Sequence, residues 1–211
     1  MRLTMVVGVI LAAGASSRMG RPKPLLPIGG DTFLTRVCRT LLEAGADDLV
    51  VVAGPEHAAV ADAVRAAGLP ARVVSNAHRD DGQLSSLLVG LAVADRPGVE
   101  AILVHLVDAP LLRPETARAV LDAFRRTRAP VVRPEVNGRH GHPVLFSRRV
   151  FDDLRRADPA VGAKAVVRAY AAEVCNVLVA DAGACDDIDT PEDLARLLPV
   201  PCDERTERTR R

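Results

Sequence analysis

The chain has 211 residues, a formal charge of +1 and 48% hydrophobic residues, enough for one sizeable α/β domain with a buried core rather than two small ones. The near-zero charge excludes a general nucleic-acid binder, and an aromatic content of only 2% removes the stacking platforms that single strands use. No apolar run approaches the roughly 20 residues of a membrane-spanning helix, and the apolar start at residues 5–13 gives way at once to a charged loop rather than to a signal-peptide cleavage pattern.

Residues 5–11 predict a strand that runs into small residues and a Gly-rich loop. Residues 32–44 repeat apolar side chains at helical spacing (Phe33, Leu34, Val37, Leu41, Leu42), with Asp31 or Thr32 as cap and Gly45 as terminator. Residues 49–53 read as a second strand, 56–67 as a helix stopped by Gly68, and 71–75 as a third strand. A helix over 85–94 is entered from the loop 76–84, a fourth strand covers 101–107, and Pro114 opens a helix over 114–126. Alternating apolar strands and helices predict a parallel sheet with helices on both faces and right-handed connections.

The pattern changes after residue 128. Residues 130–133 and 142–146 predict two strands joined through Asn137-Gly138, with Pro134 in a loop over a site. Residues 151–154 and 160–171 read as helices, 174–180 as a strand, 191–198 as a final helix, and 201–211 as a flexible charged tail. The cysteines at 38, 175, 185 and 202 form no CxxC pair, which predicts a reducing, cytoplasmic setting without a disulfide framework or zinc site.

The residues that carry chemistry follow the predicted strands. Leu11-Ala12-Ala13-Gly14 leads to Arg18 and Lys23 in a string that is neither a Walker A loop nor GxGxxG. Gly14 lets the backbone turn and present N–H groups to an anion, and the two cations neutralise phosphate oxygens. Gly82, Ser85 and Ser86 stand at a helix start, where Ser85 is expected either to cap the helix or to contact a base or ribose. Asp108 follows the fourth strand, at the carboxyl edge where open α/β sheets bind ligands. His140 and His142 flank Gly141, and two histidines without a third ligand do not make a zinc site. Thr190, with Pro191 and the acids Glu192 and Asp193, forms a helix start, leaving Asp187 and Asp189 free for other work.

Together, LAAGASSRMGRPKPLLPIGG, DGQLSSL with Gly90-Leu91, HLVDAPL, NGRHGHPVLF and DDIDTPEDL resemble the sugar-nucleotidyltransferase-like superfamily. Within it they are most similar to molybdenum cofactor cytidylyltransferases and their close relatives, over about residues 5–198. The resemblance implies a single-domain, Rossmann-like three-layer α/β/α architecture with a mostly parallel sheet, the nucleotide-diphospho-sugar transferase fold. An NTP-transferase domain would cover 1–200, with a nucleotide-binding half to about 126 and an acceptor-binding half over 127–200.

By the same resemblance, Leu11, Ala12, Ala13, Gly14, Arg18 and Lys23 bind the triphosphate, and Gly82, Ser85 and Ser86 face the nucleoside. Gln83 replaces the family's usual Met, and Val107 replaces a common Gly. Asp108 holds Mg²⁺ together with Asp187 or Asp189, the latter preferred. Gly141, His142 and Pro143 lie near the acceptor. Arg18, Lys23 and Asp108 are the expected catalytic residues. The implied reaction is attack of a phosphorylated pterin on the α-phosphorus of CTP. Ala13, where guanylyl-transferring relatives often carry Gly, favours the pyrimidine. No nucleic-acid or membrane partner is expected, while transient contact with a molybdoenzyme or its maturation factor is compatible. The other readings are guanylyl transfer or another small phosphorylated acceptor, glycosyl transfer through Asp187-Ile188-Asp189, and a non-catalytic cofactor chaperone. A metal motif that normally ends a mid-chain strand argues against glycosyl transfer, and retention of Lys23 and Asp108 argues against the chaperone.

Overall fold

The strands are apolar on both faces because both faces are covered. In β1 (Met5–Ala12), Val6, Ile10 and Ala12 enter one core while Val7, Val9 and Leu11 enter a second. In β4 (Asp48–Ala53), Leu49, Val51 and Ala53 divide in the same way from Val50 and Val52. This period-2 division of a continuous apolar run is the mark of a sheet buried between helical layers.

The computed structural model describes residues 5–14 and 19–197. After β1, a short 3₁₀ turn (Lys23–Leu25) leads into the small hairpin β2 (Pro27–Ile28) and β3 (Asp31–Thr32), then α1 (Phe33–Ala44). Beyond β4 come α2 (His57–Ala66), β5 (Ala71–Ser75), α3 (Gln83–Ala94), β6 (Val99–Leu106) and α4 (Pro114–Thr127). The remainder is β7 (Val131–Val136), β8 (Arg139–His140), β9 (Val144–Ser147), α5 (Phe151–Arg155), α6 (Lys164–Ala169), β10 (Cys175–Leu178) and α7 (Pro191–Leu197).

The eight-stranded sheet has the order β10-β7-β9-β6-β1-β4-β5, with β8 paired to β7. β6, β1, β4 and β5 are mutually parallel, β9 runs antiparallel between β6 and β7, and β10 is parallel to β7. Helices α1, α2 and α4 supply Phe33, Leu41, Val60, Leu121 and Phe124 to one core. Helices α3, α5 and α6 supply Leu91, Phe151, Leu154 and Val166 to the other. The result is a single-domain three-layer α/β fold with a mostly parallel sheet. Thr32 caps α1 in a reciprocal box with Thr35, and Gly45 ends the helix at φ 103°.

Three local expectations are corrected. Pro134 lies within β7, not in a loop: β7 pairs with β9 only at Val131 and Val132 and with β8 only at Glu135 and Val136. The change of partner falls at the residue that has no N–H to donate. The strand expected over 142–146 instead begins at Val144 and runs to Ser147, because Gly141-His142-Pro143 leaves the sheet between β8 and β9. The helix expected over 160–171 is confined to Lys164–Ala169, since the preceding turn requires Gly162 at φ 72°. The 201–211 tail and the end of the 191–198 helix lie outside the described residues.

Candidate active site

The register of the central strands brings two chain segments side by side. Leu11 of β1 is paired with Leu106 of β6, and Val107 N–H donates to the Leu11 carbonyl at 3.2 Å. Ala12-Ala13-Gly14 and Val107-Asp108 therefore leave adjacent parallel strands at their carboxyl ends, where such sheets open a crevice. Ala12, Ala13 and Gly14 line a cavity of about 350 Å³. Gly82, Ser86, Lys23, Asp108 and Asp189 complete much of its wall. Arg18 lies outside the described residues.

Lys23 is the centre of the charge cluster. Its ammonium donates to Asp108 Oδ2 at 3.3 Å and to Asp189 Oδ1, and the side chain is only 12% exposed. Asp108 Oδ1 is buried and has no hydrogen-bond partner among the described residues. Partial burial, then the negative charges of Asp108 and Asp189, push the Asp187 carboxyl up to about 6 against the pull of Lys23. Asp187 as a whole is solvent-exposed, so the crowding of like charge is the firmer of these causes. Asp187 does not line the 350 Å³ cavity, whereas Asp189 does.

These carboxylates fit a hard divalent cation. They already hold one positive group between them, they keep an unsatisfied buried oxygen, and they repel each other. No three Asp, Glu, His or Cys side chains among the described residues close on one point. That suits a cation held by one or two carboxylates with phosphate oxygens completing its shell.

The segment that carries Asp189 is fastened at three places. Asp181, 5% exposed, accepts from Arg113 N–H (3.0 Å), Thr116 Oγ1 (2.7 Å) and Gly183 N–H (3.1 Å), so it caps α4 from across the chain. His142 N–H donates to Ala184 O at 2.8 Å, and Ile188 N–H to Asp108 O at 2.7 Å. Two glycines permit this approach: a Cβ on Gly141 would lie 2.1 Å from Ala184 O, and one on Gly183 would lie 2.3 Å from Leu111 O. Thr190 caps α7 as expected, with Asp193 completing the box.

Ser85 does not cap α3. The helix begins at Gln83 behind Gly82 (φ 91°), and Ser85 sits in the first turn, donating to carbonyls of His78 and Gly82 at 2.8 Å. It does not line either major cavity. Its neighbour Ser86 does, and buried Asn76 holds both hydroxyls through Nδ2 at 2.8 and 2.9 Å. Asn76 and the cavity-lining Arg79 escape the sequence reading. Asn76 immediately follows β5, one residue nearer to its strand than Gly14 and Asp108 are to theirs.

A second cavity of about 590 Å³ adjoins the first and shares Leu11, Gln83 and Leu106 with it. Gly141, His142 and His140 line it, but Pro143 does not. Burial holds the His142 imidazole below its ordinary value, with Asp108 opposing, so the ring is neutral at neutral pH. Its edge meets the buried His105 ring, centroids 6.3 Å apart. His105, pushed down to about 3 by burial, shares a 3.0 Å hydrogen bond through Nε2 with Ala109 O; a neutral ring accordingly donates there and steadies the Asp108 turn.

Comparison with known proteins agrees with this architecture. The model of the MobA-like NTP transferase domain matches residues 8–174. The nicotine blue oxidoreductase of Paenarthrobacter nicotinovorans is 35% identical, covering 93% of this chain and 98% of that one. A probable molybdenum cofactor guanylyltransferase of Mycolicibacterium paratuberculosis is 34% identical over 61% of this chain and 62% of that one. The crystal structure of Rv0371c from Mycobacterium tuberculosis H37Rv superposes with a TM-score of 0.79 at 33% identity, covering 93% of this chain and all of that one. Its complex with manganese gives 0.69, again at 33% identity, over 92% and 98% of the two chains. No helix among the described residues is long and apolar enough to cross a membrane. The match over residues 8–174, on this fold, makes the chain a member of the MobA-like NTP transferase domain family, a family of nucleotidyltransferases.

Proposed function

We propose that the protein transfers CMP from CTP to the phosphate of a molybdopterin-type pterin, with Mg²⁺ as cofactor and pyrophosphate as the second product. The observation that carries this reading is Lys23 between Asp108 and Asp189 in the wall of the smaller cavity, which adjoins the larger one through Leu11, Gln83 and Leu106. The related probable guanylyltransferase supports the pterin, and Ala13 supports the pyrimidine.

An oxygen of the acceptor phosphate bonds to the α-phosphorus of CTP. The bond from that phosphorus to the oxygen bridging to the β-phosphate breaks, and its electron pair leaves with pyrophosphate. A phosphate monoester has its second pKa near about 6, so the nucleophile is already ionised at neutral pH and needs no protein base. Neutral His142 then serves to position the acceptor. Asp108 and Asp189 would hold the divalent cation, which when bound supplies charge neutralisation at the phosphates. Lys23 and Arg18 oppose the remaining charge on the triphosphate and leaving group, and the Ala12–Gly14 backbone and Ser86 align the nucleotide.

The deciding assay is pyrophosphate release with Mg²⁺, molybdenum cofactor and each of CTP, GTP, ATP and UTP, beside an Asp108→Ala control. CTP-selective release that is lost in the variant is the expected result. Selective release with GTP replaces the base assignment. No release with any nucleotide overturns the reaction. The name of the Paenarthrobacter nicotinovorans relative favours a second reading, oxidoreduction in the same cavities. Consumption of a reduced nicotinamide dependent on an added acceptor dye, with no pyrophosphate release, selects it.

A further inference from the structure

The larger cavity has a one-sided charge. Its floor is apolar, from Leu84, Leu87, Leu106 and Phe146, and its lining contains no aspartate or glutamate. It contains three permanent or near-permanent cations, Arg133, Lys164 and Arg168. In a chain with 27 acidic and 28 basic residues, a wall of this size without one acid is a segregated surface.

The cations are also unusually unengaged. Most of the described arginines are tied to carboxylates, as Arg72 and Arg96 are to Asp48. Lys164 and Arg168 make no ion pair or side-chain hydrogen bond with any described residue. They stand four residues apart on α6 with Val167 between them, so one helical face presents two charges and an apolar contact to the cavity. Arg133 is braced from the opposite side by Asn176 Oδ1 at 2.9 Å. The choice of residue points the same way. Only 2 of the 28 cationic residues are lysines, Lys23 and Lys164, and they line one cavity each. A lysine is a compact point charge that suits a single anionic group.

None of these cations lines the nucleotide cavity, whose own triphosphate partners are Lys23 and the Gly14 loop. They are thus surplus to the phosphates of the nucleotide. We infer that the acceptor is an amphipathic molecule carrying a second anionic group besides its attacking phosphate, and that Lys164 and Arg168 receive that group while the apolar floor receives the body between. Lys164 and Arg168 are then specificity-determining residues. This rests on the nucleotidyl-transfer reading above.

The test uses three probes of one body: phenyl phosphate, 4-carboxyphenyl phosphate and 4-(aminomethyl)phenyl phosphate, titrated calorimetrically into the full chain without nucleotide. The wild type is expected to bind the carboxylated probe about tenfold more tightly than phenyl phosphate, the scale of two partly exposed ion pairs, and the amine-bearing probe most weakly. The Lys164→Glu/Arg168→Glu variant is expected to reverse the order, with an unchanged thermal midpoint reporting that it folds. A lost cavity shape would weaken all three probes alike, so reversal separates recognition from structure; the Lys164→Gln/Arg168→Gln variant, expected to lose the preference without reversing it, provides a second readout. Equal binding of the three probes by the wild type, no saturable binding of the carboxylated probe, or an order that survives charge reversal overturns the inference. The titration does not depend on turnover. A protein that shows the preference but releases no pyrophosphate keeps this inference and loses the proposed reaction, while one that turns over without the preference loses this inference alone.

Discussion

The two cavities are built by opposite means. The smaller lies where parallel strands end, and its chemistry comes from residues just past those strands: Gly14 after β1, Asp108 after β6, with Lys23 reaching in from the first loop. The larger lies over the antiparallel insertion β9 and the short helix α6, and its polar side chains are Gln83, two histidines and three cations. One mixes carboxylates with the cations Lys23 and Arg79, and the other excludes carboxylates. On the proposed reading, placement of a reacting centre and recognition of a partner molecule fall to different parts of one sheet. The parallel part fixes atoms through backbone register, and the mixed part offers a shaped, charge-selected surface.

The comparison breaks first at the late acids. If the nucleotide-side cavity owns the chemistry, Asp189→Asn lowers pyrophosphate release about a hundredfold, whereas Asp187→Asn, outside that lining, changes it by less than about threefold; equal losses in the two variants would merge the roles. Lys23→Met comes next, with an expected loss of some tens of fold in turnover. It carries a signature of its own. With the ammonium gone from between Asp108 and Asp189, added Mn²⁺ should raise the melting temperature of the variant more than that of wild type, and an equal rise would mean that Lys23 does not compete for the carboxylates.

Smaller effects test the seam between the cavities. Gly141→Ala places a methyl where Ala184 O stands 2.1 Å away, so a backbone shift is forced. A destabilisation of about 1–3 kcal/mol in urea unfolding is expected, and a neutral result would show that the 181–185 segment yields easily. Last comes pH. His105 is held neutral in the fold, with its proton affinity moved from 6.5 to about 3, so the unfolded chain binds the proton that the folded chain refuses. Its contribution is present above pH 6.5 and is lost as pH falls toward about 3. His105→Gln should flatten that part of the stability profile, and an identical slope in both proteins removes the assignment.

Much of the first half was legible because its signals are local. An apolar run followed by Gly14, a Thr at 32 before a helical repeat, and a lone Asp after a strand each report their own surroundings. The parallel sheet followed from strands too apolar to have a wet face. What was missed depends on partners distant in sequence. Pro134 reads as a loop residue until β9 and β8 are seen to exchange places at that point. Ser85 reads as a cap until Asn76, nine residues earlier, is seen holding its hydroxyl. Asp181 looks like any loop acid, yet it closes the start of α4. The cations Lys164 and Arg168 carry no motif of their own, because only the fold supplies the apolar floor beside them.

The ion pair from Lys23 to Asp189 joins residues 166 positions apart, nearly twice the 85 that separate Lys23 from Asp108. Its assembly is therefore among the last events that chain connectivity allows. A nascent or truncated chain that stops short of Asp181 already holds the residues of both cores except Ala184 and Ile188, but it lacks the fastening that brings the second carboxylate home. Sites closed by their longest loop report completion of the whole fold. If Asp189 takes the role proposed for it, competence for nucleotide chemistry arrives later than the core.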